Sequence, residues 1–412
     1  MKILLLTEVF PPRTGGSGRW FWEIYRRLPR EQIVIAADNA PDYEQFDRHH
    51  NLHLVRMPLG FASWGLASVR SFGQYYRAYR RLVSLIRTEG IDTIHAGKSL
   101  PEGLLAWLMR RRLGLPYTCY VHGEELNLAE GSRELRFWTR RVLRGADRVI
   151  ANSRNTQSLL LKKWQVSPTH VVVLHPGVNA EQFVPALPDP QVRHRLGWGE
   201  RPVVLTVGRL QKRKGQDMMI RALPTIRRAI PDVLFAIVGK GEEHQILEEL
   251  VAQLNLERHV KFHGNLDDGE LLPCYQQCDL FALPNRDVNG DIEGFGMVLL
   301  EAQACGKPVV AGTSGGTAET MRIPETGLVV PCDEPDKLAA TVIELLSNKK
   351  QLLAMGESAR AWALEKFDWS KLSKQAQDVF FPGPTYRHNG AAECPSGNQQ
   401  LCGVPKIEAG KL

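Results

Sequence analysis

The run Asp291-Ile292-Glu293-Gly294-Phe295-Gly296-Met297-Val298-Leu299-Leu300-Glu301-Ala302 sets two carboxylates eight residues apart around a glycine-flexed turn that opens an apolar helix. Glycine at 294 and 296 lets bare backbone approach a ligand, and the amides of the next helical turn are unpaired donors suited to a phosphate. Were the run helical throughout, Glu293 and Glu301 would lie ~12 Å apart on neighbouring faces, about the span from a sugar to a ribose across a diphosphate. Each carboxylate can accept hydroxyl hydrogen bonds, so the expected ligand is a nucleotide sugar. Two solvated glutamates are the plain alternative for any lone pair of carboxylates. The flanking strand and turn context favours the site.

Other loops carry compatible chemistry. Gly208-Arg209-Leu210-Gln211-Lys212-Arg213-Lys214-Gly215 follows one apolar run and precedes a helical pattern, so Arg209 and Lys214 are expected to converge on a diphosphate; Lys212 and Arg213 fit a solvated basic loop better. Each charge-assisted contact would contribute ~1.5 to 3 kcal/mol. Gly15-Gly16-Ser17-Gly18 lies between a strand and a helix, where backbone N–H groups can meet a phosphate, although a plain turn fits it equally. His122-Gly123 ends an apolar run and is placed to hydrogen-bond a sugar hydroxyl or phosphate; a lone histidine is more often structural. Gly239 is expected to clear space for the ligand, His263-Gly264-Asn265 to border a nucleobase, and Glu319 to steady its loop rather than touch substrate. No Asp-x-Asp triplet occurs, which argues against a metal-bound diphosphate; leaving-group charge then falls to Arg209, Lys214 and backbone dipoles.

These loops must be positioned by a scaffold. Apolar runs at Lys2–Leu6, Ile33–Ala37, Leu52–Arg56, Thr93–Ala96, Tyr117–Val121, Arg148–Ala151 and Val171–Leu174 alternate with helical patterns, the signature of a doubly wound α/β domain. A proline-rich stretch from Pro176 to Pro202 reads as a connection, and a second series begins at Val203. The expected fold is α/β, two Rossmann-like domains facing each other across a cleft: residues 1–180, then 190–366, with a final helix at about 368–381. Ligands of such sheets collect at the carboxyl ends of strands. Residues 382–412, without periodicity, read as a disordered tail.

At 412 residues, 43% apolar and 24% charged, the chain can bury two ordinary cores. Met1–Glu8 is too short an apolar run for a signal peptide and no run reaches transmembrane length, so the expected location is cytoplasmic. Seven cysteines lack metal-type spacing. The net charge of +7 is uneven: residues 1–180 carry 26 Lys+Arg against 15 Asp+Glu. Basic and aromatic residues intermix at Arg19–Arg27 and Arg70–Arg87, which suits either an anionic membrane surface or a solvated helix face over an aromatic core. No nucleic-acid module accompanies the charge.

Glu293 and Glu301, the Gly208–Gly215 loop, His122-Gly123 and Gly15-Gly16 together resemble retaining GT-B glycosyltransferases of glycosyltransferase family 4, over about residues 1–380. Asn289–Gly296 and Gly312–Gly316 look most like the GDP-mannose-dependent phosphatidylinositol mannosyltransferases, while His175-Pro176-Gly177-Val178-Asn179 departs from the family's usual final Asp. The resemblance implies that Arg209 and Lys214 hold the diphosphate and Glu301 the ribose. Glu293 and the amides of Gly294, Phe295 and Gly296 would meet the transferred sugar, Gly16 the distal phosphate, and His122 the sugar. Gly15, Gly239 and Gly264 complete the expected donor contacts. It also implies retention of configuration, no protein-bound metal or cofactor, a nucleotide-sugar donor and a lipid-linked or glycan acceptor. The rivals are a UDP-glucose or UDP-N-acetylglucosamine transferase, a sugar-nucleotide epimerase, and a silent nucleotide-sugar sensor or scaffold. A dehydrogenase is disfavoured for want of a full dinucleotide fingerprint.

Overall fold

A computed structural model describes residues 1–382 except Thr14 and Ala62; most of the tail expected to be disordered, 383–412, lies outside the described residues. Strands β1 (Ile3–Thr7), β2 (Ile33–Ala37), β3 (Leu54–Arg56), β4 (Thr93–Ala96), β5 (Tyr117–Val121), β6 (Arg148–Ala151) and β7 (Val171–Val173) form a parallel sheet in the order β3-β2-β1-β4-β5-β6-β7. A second parallel sheet, ordered β10-β9-β8-β11-β12-β13, contains β8 (Val203–Val207), β9 (Leu234–Val238), β10 (Val260–Gly264), β11 (Leu280–Leu283), β12 (Val309–Gly312) and β13 (Gly327–Val330). In β1, β2, β5, β8 and β9 every residue is buried, as expected of strands covered by helices on both faces. The order reverses between β1 and β4 and again between β8 and β11. In sheets of this kind ligands bind at such points, here beside the loops after β1, β4, β8 and β11.

The chain crosses between the sheets twice, side by side. Outbound, the connection after β7 carries one short helix, Pro190–Arg195, whose Pro starts the first turn and whose Asp189 carboxylate accepts from the amides of Gln191 and Val192. Inbound, the Lys349–Lys366 helix ends at Phe367, and Val178 N–H donates to the Phe367 carbonyl at 2.8 Å. A Cβ on Gly177 would lie 2.4 Å from that same oxygen, so only glycine allows the two crossings to touch. The Trp369–Phe380 helix then returns to the first sheet, with Trp369 buried and Phe380 stacked on Tyr25 at 5.9 Å.

Burial decides between the two readings of Arg19–Arg27. Trp20, Phe21 and Tyr25 lie in the core against Tyr120 and the returning helix, Arg26 forks onto Glu23, and Arg27 donates to the Glu23 carbonyl at 2.7 Å. The Gly16–Tyr25 helix therefore has no aromatic face for a membrane. Its alternation of basic and aromatic residues is an amphipathic core helix, which composition alone does not separate from an interfacial one.

Candidate active site

Two helices begin opposite each other across the cleft. A Cβ on Gly16, first residue of the Gly16–Tyr25 helix, would touch Met297 Sδ at 3.7 Å, and Met297 opens the Met297–Ala304 helix. Among the described residues neither helix start has a side-chain cap: Gly15 and Gly296 occupy the capping positions. Gly296 sits at φ +89°, and a Cβ there would crowd Leu299 and Thr317 at 3.1 and 3.2 Å, so the turn requires glycine. Two facing sets of uncapped amides, each at the positive end of a helix dipole, suit a ligand carrying two adjacent negative groups. Glu293 lies outside the helix, so an all-helical spacing of the two glutamates does not apply.

The cations come from the loop after β8. Lys214 Nζ lies 2.5 Å from Glu293 Oε2, which also accepts from Arg213 Nη1 at 2.7 Å. Arg213 is not the solvated residue its basic neighbourhood suggested: it is buried, with Nε 3.1 Å from Asp291 and Nη2 3.1 Å from Glu124 of the first domain. Burial alone would raise the Glu293 carboxyl, but Lys214 and Arg213 outweigh it and hold the group below the ordinary range. Glu293 is thus a fixed, ionised acceptor. Arg209 is exposed and makes no ion pair among the described residues, while its carbonyl is tied down by Gln216 Nε2 at 3.1 Å. Its guanidinium is available to an anion.

Glu301 is buried one turn into its helix. One oxygen accepts from Tyr275 OH at 2.6 Å and the other from Arg19 Nη1 at 2.8 Å, and Arg19 belongs to the first domain. Neither partner was evident from the sequence, since nothing in Arg19 or Tyr275 marks a contact spanning 282 or 26 residues.

His122 follows β5, and its Nε2 lies 2.8 Å from the Gly97 carbonyl. A carbonyl only accepts, so Nε2 carries a proton here. The ring stands edge-on to Trp20 and Phe21. The two domains meet here: a Cβ on Gly294 would lie 2.4 Å from the His122 carbonyl oxygen, which accepts from Asn152 Nδ2 at 2.9 Å. His122 and the Glu293–Gly296 turn, separated in sequence, are thus brought together.

Four residues expected near the donor also have partners within the protein. The space beside Gly239 is filled by the Gly208 carbonyl, 1.9 Å from where a Cβ would sit, so the packing of two turns by itself requires glycine here. Its amide donates to the Gly264 carbonyl at 2.7 Å, which makes Gly264 a partner in the same packing. His263 accepts from Trp198 Nε1 at 3.0 Å and burial lowers its pKa to about 4, so the ring is neutral and held by the tryptophan. The Phe295 side chain is buried against His175 and Phe367, leaving only its backbone toward the turn.

Glu319 caps a helix of the opposite domain. Its oxygens accept from the amides of Arg154 and Asn155, at the start of the Arg154–Lys162 helix, at 2.8 and 2.9 Å, and from His175 Nε2 at 2.9 Å. Burial would raise this carboxyl; the His175 contact and the two amides more than reverse that and lower it. A depressed carboxylate contributes stability above its unfolded pKa and loses it as pH falls through the folded one. Glu319→Ala is expected to cost about 1–2 kcal/mol at neutral pH, the size of a lost cap and ionic hydrogen bond. Urea unfolding checks it, and a loss of under about 0.3 kcal/mol would contradict the cap.

Comparison with known proteins identifies the family. Residues 14–182 match the family described as Glycosyltransferase Family 4, and residues 189–362 the one described as Glycosyl transferases group 1. The chain is 35% identical to the GDP-mannose-dependent alpha-(1-6)-phosphatidylinositol monomannoside mannosyltransferase of Mycolicibacterium smegmatis, covering 89% of this chain and 95% of that one. It is 32% identical to a D-inositol 3-phosphate glycosyltransferase of Salinispora tropica, over 89% and 80% of the two chains. Among solved structures, Anabaena HepE in complex with UDP superposes with a TM-score of 0.78 at 23% identity, over 92% of this chain and 99% of that one, a likeness of fold. The paired helix starts, the Arg209–Lys214 loop and the two glutamates therefore stand in a GT-B glycosyltransferase, and the chain belongs to glycosyltransferase family 4.

Proposed function

We propose that this enzyme is a retaining α-mannosyltransferase that takes GDP-mannose and glycosylates a phosphatidylinositol-type lipid or related glycan acceptor, working peripherally on the inner face of a membrane. The observation that carries the donor site is the pair of uncapped helix starts at Gly16 and Met297. In this reading Arg209, Lys214 and those amides take the charge that grows on the diphosphate, so no protein-bound metal is required. Glu301 binds the ribose, and Glu293 with the Gly294–Gly296 amides and His122 surrounds the sugar. Glu293 is held by two cations and acts as a hydrogen-bond acceptor rather than a free nucleophile. GDP and mannose are favoured by the relatives that use them. Purified protein incubated with labelled GDP-mannose, UDP-glucose or UDP-N-acetylglucosamine and phosphatidylinositol mannoside lipids tests it, with products read by mass spectrometry and anomeric configuration by NMR. Transfer from a UDP-sugar only, or a β-linked product, would overturn the reading.

Acceptor access through a membrane surface is supported by one face of the first domain. On the Val69–Glu89 helix, Val69 is 90% and Phe72 61% exposed, beside exposed Arg70, Arg77, Arg80 and Arg81. The Arg133–Gly145 helix adds exposed Phe137 with Arg133, Arg136, Arg140, Arg141 and Arg144. None of these nine arginines makes an ion pair among the described residues, although Arg141 lies over the Phe137 ring at 5.2 Å. The helices adjoin, since Glu134 accepts from the amides of Leu66 and Ala67 just before the first of them. No described helix is long and apolar enough to cross a membrane. Each arginine near an anionic surface would contribute about 1 kcal/mol, lost as the Debye length shrinks to ~3 Å in 1 M salt. Co-sedimentation with anionic vesicles at low salt, released at high salt and weakened when Arg136, Arg140 and Arg141 are changed to Gln, is the expected result. Equal binding to neutral vesicles would contradict it.

A further inference from the structure

Among the described residues, Arg19 is the one first-domain side chain that reaches the carboxylate assigned here to the ribose. Besides its 2.8 Å bond to Glu301, its Nη2 forks onto both Asp268 oxygens at 3.0 and 3.1 Å, and its guanidinium lies over the Phe183 ring at 6.0 Å. Phe183 belongs to the outbound crossing between the domains and stands edge-on to Tyr275, 5.7 Å away, while Tyr275 donates to Glu301. Arg19, Glu301, Tyr275 and Phe183 therefore close a ring of contacts drawn from the first domain, the donor domain and the crossing.

Position gives this ring a consequence. Gly16 and Arg19 are three residues apart on one helix, Met297 and Glu301 four apart on the other, and the pairs Gly16–Met297 and Arg19–Glu301 face each other. Such spacings fall on one face of a helix. The helix start assigned to the phosphates and the carboxylate assigned to the ribose are thus tied across the cleft by a single charged side chain. If the domains open, Arg19 leaves Glu301, and the nucleotide loses the phosphate amides at Gly16 while the carboxylate keeps only its Tyr275 anchor.

Resting on the nucleotide-sugar reading above, we propose that Arg19 is a positioning residue that couples nucleotide binding to closure of the two domains, by holding Glu301 aimed only when the first domain is docked. A plain surface ion pair would contribute little and leave nucleotide affinity unchanged. A positioning contact predicts a specific dependence on Glu301.

Calorimetry with GDP and UDP on the full chain tests this in four proteins: the parent, Arg19→Ala, Glu301→Gln and the double variant, each checked for folding by thermal unfolding. Arg19→Ala is expected to weaken the preferred nucleotide about tenfold, and Arg19→Lys to recover part of that through a single-point contact. In the Glu301→Gln background the further loss on removing Arg19 should fall below threefold. Small-angle scattering should show the parent contracting on nucleotide addition and Arg19→Ala contracting less at saturation. An Arg19→Ala affinity within twofold of the parent, losses that simply add in the double variant, or undiminished contraction would overturn the coupling while leaving the nucleotide site intact. A parent protein that binds neither nucleotide would overturn both readings.

Discussion

Arg209→Ala is expected to turn over ~10² to 10³ times more slowly than the parent at saturating donor, the usual cost of removing a preorganised group that meets developing charge. As the glycosidic bond breaks, negative charge grows on the departing diphosphate. The cationic groups placed for it are Arg209, without an ion pair among the described residues, and Lys214, paired with Glu293. Arg209 is the freer of the two, so the anion is the partner it lacks. Lys214→Ala should give a loss of similar size, and because Arg213 still holds Glu293, the change should appear in turnover more than in folding. Initial rates at saturating GDP-mannose, with circular dichroism to verify the fold, decide the matter. Unchanged rates for both variants would reject the leaving-group assignment.

The parts that sequence reveals and conceals differ for a physical reason. Buried parallel strands must be continuous apolar runs, so β1, β2, β5, β8 and β9 were legible, and glycine turns after strands marked the Gly208–Gly215 and Gly294–Gly296 loops. What stayed hidden was anything that depends on closure of one domain on the other. Lys212, Arg213 and Lys214 are equivalent as letters, yet Lys212 is exposed, Arg213 is buried among three carboxylates, and Lys214 reaches one. Arg19 read as one more basic residue in an aromatic helix until its partners 249 and 282 residues away were in view. Gly239 shows another limit: a glycine after a strand signals close approach, but its letter does not name the approaching group, and the backbone at Gly208 is one such group here. The Asp291-Ile292-Glu293 run holds one usable hint, since a buried carboxylate such as Glu293 requires a cation, and the basic loop after β8 is its source.

That cation yields the largest expected stability effect. Arg213→Ala should destabilise the protein by ~3 to 5 kcal/mol at neutral pH, because it leaves a buried carboxylate with only part of its compensation. The loss should sit at the lower end of that range, since Lys214 still reaches Glu293, and the contacts to Asp291 and Glu124, both half-exposed, add little. The pH dependence has a definite sign. In the parent, Glu293 titrates below the ordinary carboxylate range, so its contribution is present above the unfolded pKa and is lost as pH falls through the folded one. Without Arg213 the opposing burial gains weight and the folded pKa moves up, so the variant binds its proton at less cost and loses less on acidification. The gap between parent and variant is therefore widest at pH 7 and narrows toward pH 4. Arg213→Lys should recover only part of the gap, because a single ammonium cannot fork to three carboxylates. Urea unfolding of the three proteins at pH 7 and pH 4 measures this directly, and a gap that is equal at both pH values would show that Arg213 does not act through the charge of Glu293.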